Sequence, residues 1–208
     1  MMKILPTLAA VAAAVTLWAP ANAEEPMAKE IMSAGLGPEI GAAIPHDLNI
    51  ADSNGEQKDF DALTGENGMA LFFIRSVDWC PYCKAQAIEV DVRAREFEDR
   101  GLSVVFLSYD EPMKQQEFIE RRNIKSVVLS DTQSEVIKSF GLLNENYERD
   151  SRAYGVPHPA VFIVNNDKTV AAKLYEEDFL TNAKSYRNRP AVDLILDAVD
   201  EAVAAGDA

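Results

Sequence analysis

The chain contains two cysteines, Cys80 and Cys83, set in Trp79-Cys80-Pro81-Tyr82-Cys83-Lys84. A pair separated by two residues, where an apolar run meets a helical pattern, builds a reversible dithiol/disulfide site. With no third cysteine, the two sulfurs react with each other or with an outside partner. A bridge across so short a loop constrains the unfolded chain little, so redox chemistry rather than structural stapling is its expected use. The nucleophile in such chemistry is a thiolate. At the N-terminus of a helix, Cys80 meets unpaired N–H groups that can bring a cysteine from about 8.5 to between roughly 3.5 and 7.5. Cys83 follows one turn along the same face, within reach of the first sulfur. Pro81 gives up a donor that the first helical turn does not need. Trp79 is expected to shield one side of the pair, with its indole N–H bonding outward.

These residues need a rigid frame. Residues 69–74 form a continuous apolar run, the pattern of a strand covered on both faces. The cysteines follow at once. Cys83, Ala87, Val90, Ala94 and Phe97 then recur at spacings of four and three, predicting one helix that Gly101 ends. Residues 103–107 predict the next buried strand. Asp110 is placed to cap a following helix with Pro112 in its first turn. A short strand at 127–129, a helix over 132–140, a strand at 160–164 and its hairpin partner at 169–175 come next. Val192, Ile195, Leu196, Val199 and Val203 mark the buried stripe of a last helix opened by Pro190. Short strands are expected at 47–50 and 57–60. The order predicts an α/β fold with a central mixed sheet and helices on both faces. The polar stretches 142–154 and 176–189 read as loops that could carry partner specificity.

The first 23 residues read as an export signal: Lys3, an apolar run, then Ala21-Asn22-Ala23 before Glu24-Glu25. That apolar run is short for a membrane span of about 20 residues. The expected product is a periplasmic protein cleaved after Ala23. Residues 24–44 are a lead-in and 45–208 the single folded domain. A net charge of −14 argues against nucleic acid and an anionic membrane surface as partners, since both need a basic footprint. An oxidising compartment permits stable disulfides.

A strand ending in Ser76-Val77-Asp78-Trp79, the Cys80-Pro81-Tyr82-Cys83 helix start, and Tyr154-Gly155-Val156-Pro157-His158-Pro159-Ala160 entering a strand resemble the thioredoxin fold. The N-terminal strand additions resemble its redoxin branch, which includes the alkyl hydroperoxide reductase and thiol-specific antioxidant proteins. The resemblance implies a thioredoxin-like three-layer sandwich and a thiol-disulfide oxidoreductase that needs no bound cofactor. Its partners would be protein or low-molecular-weight thiols and disulfides. Cys80 would be the exposed attacking cysteine and Cys83 the more buried resolving one. Pro159 matches the family's cis-proline, and an X-Pro bond ahead of a central strand is a natural place for one. His158 would then face the cysteines, and an imidazolium there would stabilise the Cys80 thiolate and make the pair more oxidising. Pro81-Tyr82 is the pair found in glutaredoxins. Their couples lie near roughly −200 to −230 mV, against about −270 mV for thioredoxin.

Two features depart from the pattern. Peroxidases of this branch resemble one another in a proline and a hydroxyl residue seven and three positions before the reactive cysteine. Counted from Cys80, those positions hold Phe73 and Val77. Arg75 could stand in for the peroxidase arginine, though from a different segment. Thiol-dependent peroxidase activity is therefore the alternative to disulfide exchange. The carboxylate that would accept a proton from Cys83 is also missing. Ile74 holds its place, and Asp78 and Glu89 are expected on solvated faces. A second alternative is a Cu(I) carrier using Cys80, Cys83 and His158 as soft ligands.

Overall fold

The computed structural model describes residues 35–206 together with Met1. The expected export signal and most of the lead-in lie outside the described residues. Among the described residues, no helix is long and apolar enough to cross a membrane.

β1 (Ile50–Ala51) and β2 (Gln57–Lys58) form a small antiparallel pair. The expected second strand ends early because Asp59 caps a helical turn, α1 (Phe60–Leu63), its carboxylate accepting the Ala62 N–H. The main sheet holds β3 (Gly68–Phe73), β4 (Leu102–Ser108), β5 (Val127–Ser130), β6 (Ala160–Asn165) and β7 (Val170–Tyr175). Their spatial order is β5-β4-β3-β6-β7. β3, β4 and β5 run parallel, while β6 is antiparallel to both β3 and β7. Short helices follow the parallel strands: α2 (Pro81–Val92) and α3 (Ala94–Glu98) after β3, α4 (Pro112–Arg122) after β4, and α5 (Glu135–Ser139) after β5. α6 (Val192–Gly206) comes last.

The central strand β3 is buried along its whole length. Successive side chains leave a strand on opposite faces. Met69, Leu71 and Phe73 therefore join Leu48, Phe60, Phe140 and Phe162 in one core. Ala70, Phe72 and Ile74 join Val90, Phe97, Ile195 and Val199 in the other, which also holds both cysteines. Helices on both faces of a mixed sheet make the three-layer, thioredoxin-like α/β architecture that the resemblance implies. Ahead of β1, Leu36 and Ile44 are buried in the first core, and the Gly41 N–H donates to the Val170 carbonyl on the β6–β7 hairpin.

The long helix expected from the apolar repeat is broken at Arg93. Its φ of −102° and ψ of 11° leave helical geometry, and its N–H turns back to Val90. The Arg93 side chain pairs with Glu96 and with Asp193 of α6. The stripe survives the break, since Cys83, Ala87, Val90 and Phe97 all remain buried.

Candidate active site

The two cysteines stand at the junction of β3 and α2. Cys80 is the N-cap of α2, Pro81 its first residue, and the Cys83 N–H points at the Cys80 sulfur at 3.3 Å. Cys80 and Cys83 are disulfide-bonded, with Cα atoms 5.3 Å apart. The loop before them hangs on Asp110 at the end of β4. That carboxylate accepts the Ser76 hydroxyl at 2.7 Å, the Val77 N–H at 2.7 Å and the Ser108 hydroxyl at 2.8 Å. Ser76 Oγ in turn accepts the N–H groups of Asp78 and Trp79. Asp110 thus turns inward instead of capping α4, whose N-cap is Glu111. Burial pushes the Asp110 carboxyl up, against the pull of these donors.

The pair is less accessible than expected. Cys80 is 1 % exposed and Cys83 0 %, so the contrast between an open attacking sulfur and a buried resolving one is absent in the oxidised protein. Both sulfurs belong to the second core, and the segment between β7 and α6, expected as a solvated loop, packs beside them. It lays Tyr186 edge-on against the exposed ring of Tyr82, with centroids 6.2 Å apart. It also aims Arg189 at Cys83, Nη2 donating to the sulfur at 3.4 Å.

Arg75 sits behind this strap, 4 % exposed. Its guanidinium carbon lies 4.0 Å from the ring centroid of Tyr186, 5.1 Å from that of Trp79 and 5.3 Å from that of Tyr147. Its Nη2 also donates to the Tyr147 hydroxyl at 2.9 Å. Aromatic faces favour a cation so placed. Trp79 is half-buried, and its indole N–H donates to the Tyr109 hydroxyl, which bonds onward to the Arg152 carbonyl. Among the described residues, neither Arg75 nor Arg189 pairs with a carboxylate, and the Nε atom of each is buried without a partner. Burial, with Arg75 nearby, lowers Arg189 to about 10, which leaves it cationic at neutral pH.

His158 does not supply the expected charge. It is buried at the entrance to β6, its ring 4.9 Å from that of Phe179. Burial, and after it the charge of Arg75, lowers its pKa to about 4, so the imidazole is neutral. The cation at the pair is Arg189 instead. Every peptide bond among the described residues is trans, so the cis bond expected at Pro159 is not present. The chain enters β6 already anchored on one side, the His158 N–H donating to the Leu142 carbonyl, and runs on extended. Pro159 shares a surface depression with Gln86, Val161, Phe179, Arg189 and Pro190. Asp78 and Glu89 are exposed, and among the described residues no carboxylate bonds either sulfur. His46 is structural, its Nδ1 accepting the Leu48 N–H at 2.8 Å. Among the described residues, no group of three or more His, Cys, Asp or Glu side chains is spaced to hold a metal ion, so Cys80, Cys83 and His158 do not form the copper site weighed above.

The arrangement can open and close one sulfur–sulfur bond beside a half-buried guanidinium. Arg189, Tyr186 and Tyr147 were not recognisable in the sequence as parts of it. They lie in polar stretches with no periodicity, and only long-range packing brings them to the pair.

The chain is 24% identical over 132 residues to peroxiredoxin Bcp of Escherichia coli K12, covering 64% of this chain and 83% of that one. It is 24% identical over 181 residues to the 1-Cys peroxiredoxin PER1 of Zea mays, covering 80% and 74%. The fold superposes on the crystal structure of peroxidoxin BcpB from Mycobacterium tuberculosis with a TM-score of 0.62, at 23% identity over 80% of this chain and 97% of that one. A peroxiredoxin-like protein from Aquifex aeolicus gives a TM-score of 0.63 at 20% identity, over 81% and 90%. The pattern of the AhpC/TSA family matches residues 40–173, more than half of the sequence, and the chain belongs to that family.

Proposed function

We propose that this protein is a thiol-dependent peroxidase in which Cys80 and Cys83 cycle between dithiol and disulfide. The observation that carries the reading is the bridged pair at the β3–α2 junction, with a guanidinium on one sulfur, in a chain of a family whose similar members are named peroxiredoxins. In the oxidising half-cycle one thiolate attacks a hydroperoxide oxygen. The O–O bond breaks, the alcohol (or water) leaves with a proton, and the sulfur becomes a sulfenic acid. The second thiol then attacks that sulfur, forming the disulfide and releasing water. A partner's thiol pair returns two electrons and two protons.

Thiol-disulfide exchange with protein or small thiol partners is the second reading. Counted from Cys80 as the reactive cysteine, Phe73 and Val77 favour it, because neither provides the hydroxyl that would orient a peroxide. One experiment separates the two. Purified protein is given hydroperoxide or a model protein disulfide, with the same reductant in each case. Hydroperoxide consumption far above that of a free thiol, lost in both Cys80→Ser and Cys83→Ser, supports the peroxidase. Turnover of the disulfide alone supports exchange.

A further inference from the structure

We propose that Cys83, and not Cys80, carries the thiolate of the reduced protein, held by Arg189. The inference rests on the reading of the pair as a cycling dithiol. Burial opposes charge on both sulfurs to the same degree, since they are 1 % and 0 % exposed. What differs is the donor that each one meets. Cys80 Sγ, at the N-cap of α2, faces a neutral backbone N–H at 3.3 Å and the helix N-terminus, equivalent to about half a positive charge, while Cys83 Sγ receives an N–H of a full guanidinium charge at 3.4 Å. A hydrogen bond from a charged donor is about twice as strong as one from a neutral donor.

The neighbourhood points the same way. Arg189 and Arg75 raise the local positive charge in a chain whose net charge is −14; among the described residues neither forms an ion pair with a carboxylate, and Glu176, which shares the depression with Arg189, acts on it only from a distance. A cation left half-buried without a counterion is costly. Reduction creates the counterion in place. Two electrons from a partner's thiols break the S–S bond. One of the two accompanying protons stays on Cys80 and the other goes to solvent, leaving Cys83 as thiolate against Arg189. This also answers what replaces the missing proton-accepting carboxylate: the site favours loss of the Cys83 proton through a fixed cation. Arg189 then stabilises the reduced form over the disulfide, which makes the couple more oxidising. In the oxidising half-cycle Cys83 is the sulfur that attacks, and Cys80 resolves.

The test reads thiolate absorbance against pH in the reduced single-cysteine proteins. In Cys80→Ser, Cys83 is expected to ionise at least about one pH unit below the ordinary value near 8.5. Adding Arg189→Met should remove that depression, and Arg189→Lys should keep part of it. In the wild-type cysteine background, Arg189→Met should move the dithiol/disulfide equilibrium about tenfold toward the disulfide, close to 30 mV. A Cys83 that ionises at or above the ordinary value overturns the assignment. So does a Cys80 that ionises below Cys83 in the matching Cys83→Ser protein, or a depression indifferent to Arg189→Met. If Arg189→Met does not fold, Arg189→Gln and Arg189→Lys decide by their difference. Hydroperoxide turnover by the wild-type protein is measured separately. Thiolate on Cys83 without turnover keeps this assignment and removes the peroxidase reading, and turnover with an undepressed Cys83 does the reverse.

Discussion

The Ser76 hydroxyl donates to the Asp110 carboxylate at 2.7 Å, tying the loop that leaves β3 to the end of β4. The same carboxylate holds the Val77 N–H, and Ser76 passes the restraint on to the N–H groups of Asp78 and Trp79. The approach to Cys80 is therefore fixed by one buried side chain just past the end of the neighbouring strand, 34 residues beyond Ser76.

Removing that side chain should loosen the approach. Hydrogen bonds to a charged group contribute roughly 1.5–3 kcal/mol each, and the burial penalty on Asp110 offsets part of the total. Asp110→Ala is expected to lose about 2–3 kcal/mol and Ser76→Ala about 1–2 kcal/mol. Urea titration checks this through the midpoint at unchanged slope. Stability within a few tenths of a kcal/mol of wild type in Asp110→Ala would show that the network holds nothing.

Tyr186 closes the strap over the pair through Tyr82 and Arg75. Tyr186→Ala should uncover sulfurs that are now buried and speed reduction of the disulfide by a small dithiol by about tenfold, because exchange requires access to a sulfur. Stopped-flow mixing with the dithiol measures the rate. An unchanged rate would mean that the strap does not limit access.

Acid stability should depend on His158. Its pKa is about 4 in the folded protein against 6.5 ordinarily. Above pH 6.5 the imidazole is neutral in both states, and its contribution does not vary with pH. Below that, the unfolded chain takes up a proton that the folded protein refuses, so stability falls as pH drops from 6.5 to about 4. The loss totals about 3 kcal/mol. Asp110 and Asp131, both raised by burial, act in the opposite sense, so the comparison must be between wild type and His158→Gln. The variant should lack this component of the pH dependence. Parallel stability curves for the two proteins over that range would contradict a buried neutral imidazole.

Gly68 opens β3 with φ +142°, and a Cβ there would collide with the backbone carbonyl of Val164 on β6. Neither the conformation nor the contact can relax through a flexible side chain. Gly68→Ala is expected to cost at least about 3 kcal/mol or to prevent folding. Circular dichroism during thermal melting reads the effect, and a melting temperature close to wild type would exclude the collision.

The dithiol and its setting were legible in the sequence because their signals are local. Cys80, Pro81 and Cys83 are separated by fewer than four residues, and the apolar run of β3 and the stripe through Ala87, Val90 and Phe97 repeat at the periods of a strand and a helix. Those patterns determined the strand, the helix start and the sulfur that caps it. The sequence also carried the residues for a network at Asp110, but its Pro112 context pointed to a helix cap. Charge at the site was decided only by the tertiary structure. Arg189 reaches Cys83 across 106 residues of chain, and nothing near either residue marks the contact. His158 is adjacent to the expected proline, yet burial and Arg75 keep it neutral. A periodic pattern is written within one segment. Whether a sulfur or an imidazole carries charge depends on the solvent and cations left around it after separate segments have packed together.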